Sequence, residues 1–407
     1  MQRIKKDDFF QISEEGGVLP LEMPLKSQKK DQELTIGIPR ESIMDEKRIP
    51  LTPQGVKMLA ANGFKIMIEQ NAGHSSHFSD REYSEAGAFI TPEKAELYKA
   101  DMILKIALPT EEEIGFIKQG TIIFSSLNIP NLHQQQLTGL MQKQVTAFAY
   151  ENIQDSGGIL PFMQSMSEIA GKAAVLIASD YLTIFKGEGI LMGGITGVPP
   201  TEVVILGAGT VGLYAARTAL ALGADVKVFD NSLQKLRRLN LIHNLNIYNS
   251  VIHTDLLTKV LKTADVVIGA LHPQNGRTPC VVSEDMVMQM KENAVIIDVS
   301  IDHGGCFETS EVTTLSNPVY LKHGVIHYCV PNISSAVPQT ASNAFNNILV
   351  PMLLQFQRCG SLLNYFWDYP YTRHGVFIYK GILTNRFIGT KFNLQSKAID
   401  LLLASNL

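Results

Sequence analysis

The chain has 407 residues, of which 45% are hydrophobic and 18% charged, and it carries a formal net charge of −4. This length exceeds what one hydrophobic core usually organises, so two domains are expected. The weakly acidic balance provides no basic field for a nucleic acid or an anionic membrane, so we expect neither kind of partner.

Four cysteines lie far apart in the sequence and form no Cys-x-x-Cys pair, which favours free thiols in a reducing compartment. The N-terminus lacks the apolar segment of a secretory signal, and charged residues or prolines interrupt the longest apolar stretches. We therefore expect a cytoplasmic protein. No set of His, Cys, Asp and Glu residues has metal-ligand spacing, so no metal is expected.

The first part of the chain alternates between short apolar runs and helical stretches. Residues 1–33 are mostly polar without a sustained period, which predicts an N-terminal extension. Thr52 and Pro53 form a typical helix start, because a capping threonine precedes a proline at the first helical position, and Ser79 opens another short helix. The predicted strands are 34–39, which ends in a proline, 64–68, 102–106, 122–124 and 147–149. Strands separated by helices indicate a mostly parallel sheet.

The second part contains another α/β series between two long helical patterns. The helices are predicted at 161–185 and 341–357, and the series runs from Val203 to Pro338. The tail 360–407 is expected to pack on the first domain.

A glycine-rich motif directly follows the predicted strand Val203–Leu206 and opens the next helix. It reads Gly207-Ala-Gly209-Thr-Val-Gly212, a G-x-G-x-x-G pattern in the strand–helix context that marks dinucleotide binding. Gly207 permits the tight turn, Gly209 lets the backbone approach a pyrophosphate, and Gly212 lets helix and strand pack closely. The free N–H groups of the helix N-terminus favour the phosphates.

The next strand, Asp225–Phe229, ends in Asp230 at the position of the ribose-binding acid. A carboxylate there accepts hydrogen bonds from both ribose hydroxyls and repels a 2′-phosphate, so the expected cofactor is NAD rather than NADP. Lys235 is predicted as a further cofactor contact, although its charge and those of Arg237 and Arg238 weaken this preference.

Two further predicted strands, 266–269 and 294–298, complete a doubly wound parallel sheet. Leu271 and Val299 follow these strands, at the edge of the sheet that faces the cofactor, and are predicted cofactor contacts. The expected fold is therefore a two-domain α/β fold in which a Rossmann domain is inserted in a second α/β domain. The predicted parts are the extension 1–33, the substrate domain 34–161 with 339–407, and the NAD-binding domain 162–338.

With these motifs the sequence resembles the alanine dehydrogenase family, which shares its fold with the NAD(H)-binding part of proton-translocating transhydrogenase. The resemblance covers roughly 34–357 and rests on the segments Ile36–Glu41, Arg48 with Leu51–Pro53, Met166–Gly171, Gly189–Gly194, Ile301–Glu308, Tyr328–Asn332 and Ala336–Pro338. The Gly-Gly-Cys-Phe-Glu stretch favours alanine dehydrogenase over transhydrogenase. The resemblance implies a hexamer that converts L-alanine, NAD⁺ and water to pyruvate, ammonium and NADH.

The resemblance also implies roles for single residues. Arg48 corresponds to the arginine that binds the substrate carboxylate, as a guanidinium fork does well. Asp302 corresponds to the active-site aspartate, Ser167 to a cofactor-contacting serine and Asn332 to a residue beside the nicotinamide. On the residues alone, Arg48 would be a solvated surface arginine, Ser167 a helix cap and Asp302 a turn residue.

Two positions depart from the family pattern, and both are catalytic. Ala107 stands where the family has a lysine. Lys105 lies on the same strand face, about 7 Å further along, and is the predicted substrate-binding lysine. Asn128 replaces the acid/base histidine, and asparagine does not titrate near neutral pH. His133, His272 and His303 are possible substitutes for it, although a loop histidine with a backbone partner is the commoner case.

Two main hypotheses follow from this combination. The first is an NAD-dependent amino-acid dehydrogenase of the alanine dehydrogenase type, with an altered substrate or low activity, acting on a small amino or oxo acid. The second is an NAD(H)-binding protein with little catalysis, serving as a sensor or subunit, which Ala107 and Asn128 favour. A transhydrogenase-type subunit is a third possibility, but it needs a partner chain with membrane spans.

Overall fold

Strands and helices alternate along the chain, as the sequence pattern indicates. In this computed structural model the described residues are 34–129, 132–184, 186–243, 247–272 and 276–404. The predicted extension, 1–33, lies outside the described residues.

The strands are β1 (Thr35–Ile38), β2 (Lys65–Glu69), β3 (Phe89–Thr91), β4 (Met102–Leu104), β5 (Ile122–Ser125), β6 (Thr146–Ala149), β7 (Glu202–Leu206), β8 (Asp225–Phe229), β9 (Tyr248–Ser250), β10 (Val266–Gly269), β11 (Val295–Asp298), β12 (Val319–Lys322), β13 (Val325–Tyr328), β14 (Val376–Tyr379) and β15 (Ile382–Leu383). The α-helices are Pro53–Ala61, Asp80–Glu85, Lys94–Leu97, Glu111–Phe116, Gln134–Gln142, Pro161–Tyr181, Thr210–Ala221, Leu233–His243, Thr254–Leu261, Glu284–Val287, Pro338–Cys359, Leu362–Asp368, Arg386–Phe392 and Ile399–Ala404. Short 3₁₀ segments include Val299–His303 and Ile333–Ala336.

The first sheet contains β1 to β6 as parallel strands in the order β3-β2-β1-β4-β5-β6. The order reverses between β1 and β4, so the loops that follow these two strands diverge and leave a crevice at the carboxyl ends. Antiparallel β14 pairs with β6, and β15 forms the edge beyond it. The tail therefore returns to the first sheet, as predicted.

The second sheet has the order β12-β13-β11-β10-β7-β8-β9, and all its strands except the antiparallel edge strand β12 run parallel. Its order reverses between β7 and β10, which places a second crevice beyond those strand ends. The predicted α/β fold class with a doubly wound Rossmann sheet is confirmed. The exact domain limits stay a prediction.

Both long helices are present, with bounds that differ from the prediction. The first ends at Tyr181 rather than near 185, and the hydroxyl of Thr183 donates to the carbonyl of Asp180 at 2.7 Å there. Such a local bond competes with further helix. The second spans Pro338–Cys359, because Pro338 starts it and Gly360, with φ +67°, ends it.

The second long helix fixes the segment between β1 and the first helix. Its residue Phe345 packs into the core beneath the first sheet. Ser342 Oγ accepts the amide N–H of Ile49 at 2.9 Å, and Asn346 Oδ1 accepts that of Thr52 at 3.1 Å. This loop is therefore anchored to the second long helix at two points. Among the described residues, no helix combines the length and apolarity needed to cross a membrane.

Candidate active site

The glycine-rich turn Gly207–Gly212 at the end of β7, called the fingerprint turn from here on, has the shape that a pyrophosphate requires. Gly207 has φ +115°, and a Cβ there would lie 2.3 Å from the carbonyl oxygen of Ala270. A Cβ on Gly212 would lie 1.8 Å from the carbonyl oxygen of Gly207, whereas a Cβ on Gly209 would meet no protein atom within 4 Å. The turn is thus closed toward the protein and open beside Gly209, where the helix Thr210–Ala221 begins. These residues fit a dinucleotide.

The acidic residue at the end of β8 is joined to this turn. Asp230 is buried, and its Oδ2 accepts the amide N–H of Ala208 at 2.7 Å while its Oδ1 accepts that of Ser232 at 2.7 Å. Lys235 is half exposed, with its Nζ 3.7 Å from Asp230 Oδ2. The structure therefore brings Asp230 and Lys235 together beside the fingerprint, and the carboxylate is already oriented by two amides.

Leu271 and Val299 lie beyond β10 and β11, on the same edge of the second sheet. The Leu271 carbonyl accepts the hydroxyl of Ser300 at 2.9 Å, which ties the two strand ends together. Both predicted contacts are partly buried. Ser167 is partly buried on the helix Pro161–Tyr181.

Arg48 lies in the loop after β1 and is buried rather than solvated. Its Nε donates to Glu46 Oε1 at 2.7 Å and its Nη2 to Glu46 Oε2 at 2.5 Å, a bidentate ion pair. Its Nη1 donates to Ser334 Oγ at 3.1 Å, and the guanidinium carbon lies 5.6 Å from the ring centre of Phe345. Glu46 thus occupies the bidentate face of the guanidinium, and together with Ser334 it holds the cation in one orientation.

Asp302 approaches this cluster from the second sheet. Its Oδ1 accepts the amide N–H of Asn332 at 2.7 Å, and the Asn332 amide side chain donates to Glu46 Oε2 at 3.0 Å. Asp302 is solvent-exposed, but desolvation by the surrounding protein raises its pKa, while the Asn332 amide and the nearby charges of His303 and Arg48 oppose that rise. The structure thus brings Arg48, Asp302 and Asn332 together in one network.

A cavity of about 140 Å³ adjoins Arg48 and is lined among others by Glu41, Ser42, Glu46 and Arg48. Its lining residues follow β1 and β2, at the carboxyl ends of these two strands. A larger cavity of about 480 Å³ lies among C-terminal residues such as Tyr371 and contains none of the predicted site residues.

The predicted substrate-binding lysine, Lys105, does not lie free in this cavity. Its side chain is fully buried, and its Nζ donates to Glu113 Oε2 at 2.8 Å and to Ser42 Oγ at 3.1 Å. Side chains among the described residues thus bind its ammonium, which favours a structural role for Lys105. Ala107, at the family's lysine position, is buried and uses its backbone amide to bind Glu41 Oε2 at 3.2 Å.

Asn128 is exposed and has φ +40°, a left-handed conformation that asparagine tolerates better than most residues. Its amide N–H donates to Glu151 Oε1 at 3.3 Å. Of the candidate histidines, His133 is exposed at the start of the helix Gln134–Gln142. The rings of His272 and His303 lie 6.0 Å apart beyond β10 and β11, and burial lowers the pKa of His303.

Comparison with known proteins agrees with this geometry. Models of the N-terminal and C-terminal domains of alanine dehydrogenase/PNT match residues 37–170 and 173–386, respectively. The chain belongs to the alanine dehydrogenase/PNT family. Alanine dehydrogenase 2 of Staphylococcus aureus (strain USA300) is 37% identical over 370 residues, which cover 90% of this chain and 99% of the relative.

Solved structures place the fold in the same family. An L-alanine dehydrogenase superposes with a TM-score of 0.82 at 32% identity, covering 88% of this chain and 99% of the other. A transhydrogenase from Sinorhizobium meliloti superposes with a TM-score of 0.73 at 23% identity, covering 87% and 99%, which shows the shared fold. The predicted resemblance is confirmed, and with it the assignment to the NAD-dependent amino-acid dehydrogenases of the alanine dehydrogenase/PNT family.

Sequence reasoning missed two acidic residues of this alanine dehydrogenase/PNT site. Glu46, the bidentate partner of Arg48, is separated from it by a single residue, and that spacing in an extended loop was the available signal. Glu41 lies in the segment that carried the resemblance, yet its burial beside the cavity depends on two amides after β4 that sequence alone does not place.

Proposed function

We propose that this protein oxidises L-alanine, or a small amino acid like it, with NAD⁺ and water to the 2-oxo acid, ammonium and NADH. The observation that carries the proposal is the network of Arg48, Glu46, Asn332 and Asp302. It joins the loop after β1 to the strand ends of the Rossmann sheet, so a substrate carboxylate and the cofactor would meet there.

Different residues of the chain bind the substrate and the cofactor. Arg48 binds the substrate carboxylate, and because Glu46 and Ser334 fix the guanidinium, little ordering is needed when substrate arrives. Asp302 binds the amino group or the attacking water. Asp230 and the N–H groups after Gly207 hold the dinucleotide. The nicotinamide, when bound, supplies the acceptor for the hydride from the substrate α-carbon.

The remaining cofactor-binding residues that the sequence predicts are also part of this proposal. Ser167, Lys235, Leu271, Val299 and Asn332 are proposed cofactor contacts, since their strands and helices border the crevice of the second sheet. A cytoplasmic homo-oligomer, with a hexamer as the expected size, is part of the proposal. Support for the compartment comes from the described cysteines, which are all free thiols.

A second candidate, an NAD(H)-binding protein with little catalysis, is favoured by one observation. The positions that should carry a lysine and an acid/base histidine hold Ala107 and the exposed Asn128. Neither side chain transfers a proton near neutral pH.

One assay separates the two candidates. NADH formation from L-alanine and NADH consumption with pyruvate plus ammonium are followed by absorbance, with NADH binding measured in parallel by fluorescence. Turnover of about 1 s⁻¹ or more supports the dehydrogenase. Tight NADH binding without turnover on a panel of small amino acids and their oxo acids supports the cofactor-binding protein.

A further inference from the structure

Oxidation of an amino acid by water needs a group that accepts and returns protons beside the substrate. In this chain the two positions of the family's lysine and histidine hold Ala107 and Asn128. The inference below rests on the proposed function. We propose that the Glu41 carboxylate is the proton-transfer group of the Arg48 cavity.

Glu41 is held at the switch point of the first sheet. It follows β1, and its carboxylate bridges to the chain after the neighbouring strand β4. Its Oε1 accepts the amide N–H of Ile106 at 2.6 Å, and its Oε2 accepts that of Ala107 at 3.2 Å. Its side chain is 7% exposed and lines the same cavity as Arg48. A carboxylate fixed by two backbone amides keeps its position while its proton comes and goes.

Charges around Glu41 suit this role. Burial raises its pKa from 4.5 to about 7, against the opposing effect of the Lys105 ammonium, whose Nζ lies 3.8 Å away, and Glu46 raises it further. A carboxyl group with a pKa near neutrality is present in both protonation states in the cell, which general acid–base catalysis requires. The charged and titratable groups that interact with it are Glu46, Arg48, Tyr98, Lys105 and Tyr150, and Glu113 binds the Lys105 ammonium.

Three other acidic residues, Glu113, Glu151 and Asp302, make different contacts. Glu113 binds Lys105 and Thr110, and these contacts lower its pKa to about 2 although its burial acts in the opposite direction, so it stays ionised. The Oε1 atom of Glu151 accepts the amide N–H groups of Leu127 and Asn128, and Glu151 is not among the residues that line the cavity. Asp302 is not among the residues that line the cavity; it binds Asn332, and in the proposed function it serves the substrate nitrogen.

The protons balance with one carboxylate. Glu41 takes a proton from the substrate ammonium and releases it to solvent, which leaves a neutral amine that loses hydride from its α-carbon. Water then adds to the carbon of the resulting iminium, and its proton passes to Glu41 and on to the nitrogen. The hydroxyl proton returns to Glu41 as the C–N bond breaks, and it leaves with ammonia as ammonium. The net products are the 2-oxo acid, ammonium, NADH and one proton.

The first test compares Glu41→Gln and Glu41→Asp with the wild type in amino-acid oxidation from pH 6 to 10. We expect wild-type kcat/KM to rise with pH around neutrality. Glu41→Gln should lose about 10²-fold or more and lack this rise, with Glu41→Asp between them. The dissociation constant for NADH should be unchanged in both variants, which also reports that they fold.

Glu69→Gln is the matched control. Glu69 Oε2 accepts the amide N–H of Arg40, the residue before Glu41, at 2.8 Å, but it is not among the residues that line the cavity. This variant removes a carboxylate that contacts the Glu41 loop from the end of β2, and it should keep the wild-type pH profile.

A second measurement is independent of turnover. Because the pKa of Glu41 is about 7 in the folded chain instead of 4.5, its ionisation destabilises the folded wild type as the pH rises between these values. Glutamine does not ionise. The Tm of Glu41→Gln relative to wild type should therefore increase from pH 4.5 to pH 7 and then level off.

Three outcomes would overturn parts of this assignment. If Glu41→Gln retains a third or more of wild-type turnover with the same pH profile, another group transfers the protons. If its relative Tm does not change with pH, Glu41 does not titrate in this range and the proposal fails. If the wild type binds NADH but oxidises no small amino acid, the proposed function fails and the role of Glu41 fails with it.

Discussion

Two alanine substitutions in the fingerprint turn should both weaken NADH binding but differ in their effect on stability, and this difference tests how the turn is built. At Gly209 a Cβ meets no protein atom within 4 Å, and the backbone has an ordinary negative φ of −72°. Gly209→Ala should therefore leave the free energy of unfolding within about 0.5 kcal/mol of wild type. The added methyl group points into the space beside the helix N-terminus, where the pyrophosphate should lie. NADH binding should weaken at least tenfold, or about 1.4 kcal/mol.

Gly212→Ala should mainly lower the stability of the folded protein. Its Cβ would lie 1.8 Å from the carbonyl oxygen of Gly207, while ordinary contacts begin at 3.4 Å, so the helix must move away from the strand. Such overpacking costs about 1–3 kcal/mol. The free energy of unfolding should therefore decrease. NADH affinity should decrease as a consequence, because the turn shifts.

The assay pairs thermal unfolding without ligand with a fluorescence titration of NADH for each variant. Unchanged NADH affinity in Gly209→Ala would refute the placement of the pyrophosphate beside this residue. An unchanged unfolding midpoint in Gly212→Ala would refute the claim that the helix packs against Gly207 at the distance described.

Three further predictions concern the ligands and the missing catalytic pair. Asp230→Ala should raise the Kd for NADH about tenfold or more, measured by fluorescence, and also lower the Tm because the amide of Ala208 loses its acceptor; an unchanged Kd would exclude the ribose contact. Asp302→Asn should lower turnover about 10²-fold with little change in NADH affinity, and equal turnover would remove Asp302 from the chemistry. The double variant Asn128→His with Ala107→Lys should raise alanine turnover in the absorbance assay, and no gain would indicate that the cavity has been reshaped around Glu41.

Much of the fold and the cofactor half of the site could be predicted from the sequence, because their signals are local. The fingerprint, its strand and its helix are contiguous, and Asp230 follows the very next strand. The period of apolar runs also predicts a parallel sheet. These features depend on residues that are neighbours in the chain, so a pattern in the sequence is sufficient.

The substrate half could be predicted less well, because its contacts join distant segments. Strand periodicity predicts that Lys105 and position 107 share a strand face, but β4 ends at Leu104, before both residues. It also does not reveal that Glu113, on a following helix, binds the Lys105 ammonium. Likewise, the local sequence predicts that Arg48 is a surface arginine. Its contact with Ser334, which lies far along the chain, becomes known only from the structure. Such pairings depend on tertiary packing rather than on local propensity.

The return of the tail to the first sheet has a consequence for the order of events during synthesis. β1 to β6 emerge from the ribosome first, but β6 lacks its neighbour β14 until the segment from Val376 onward has been made. The Rossmann sheet, by contrast, is contiguous from Glu202 to Tyr328 and can close while synthesis continues. The nascent chain therefore carries an open strand edge next to a finished domain, which is when pairing with other chains is most hazardous. A stop codon shortly before Val376 would leave that edge exposed permanently, so C-terminal truncations should yield aggregates rather than an isolated, weakened enzyme.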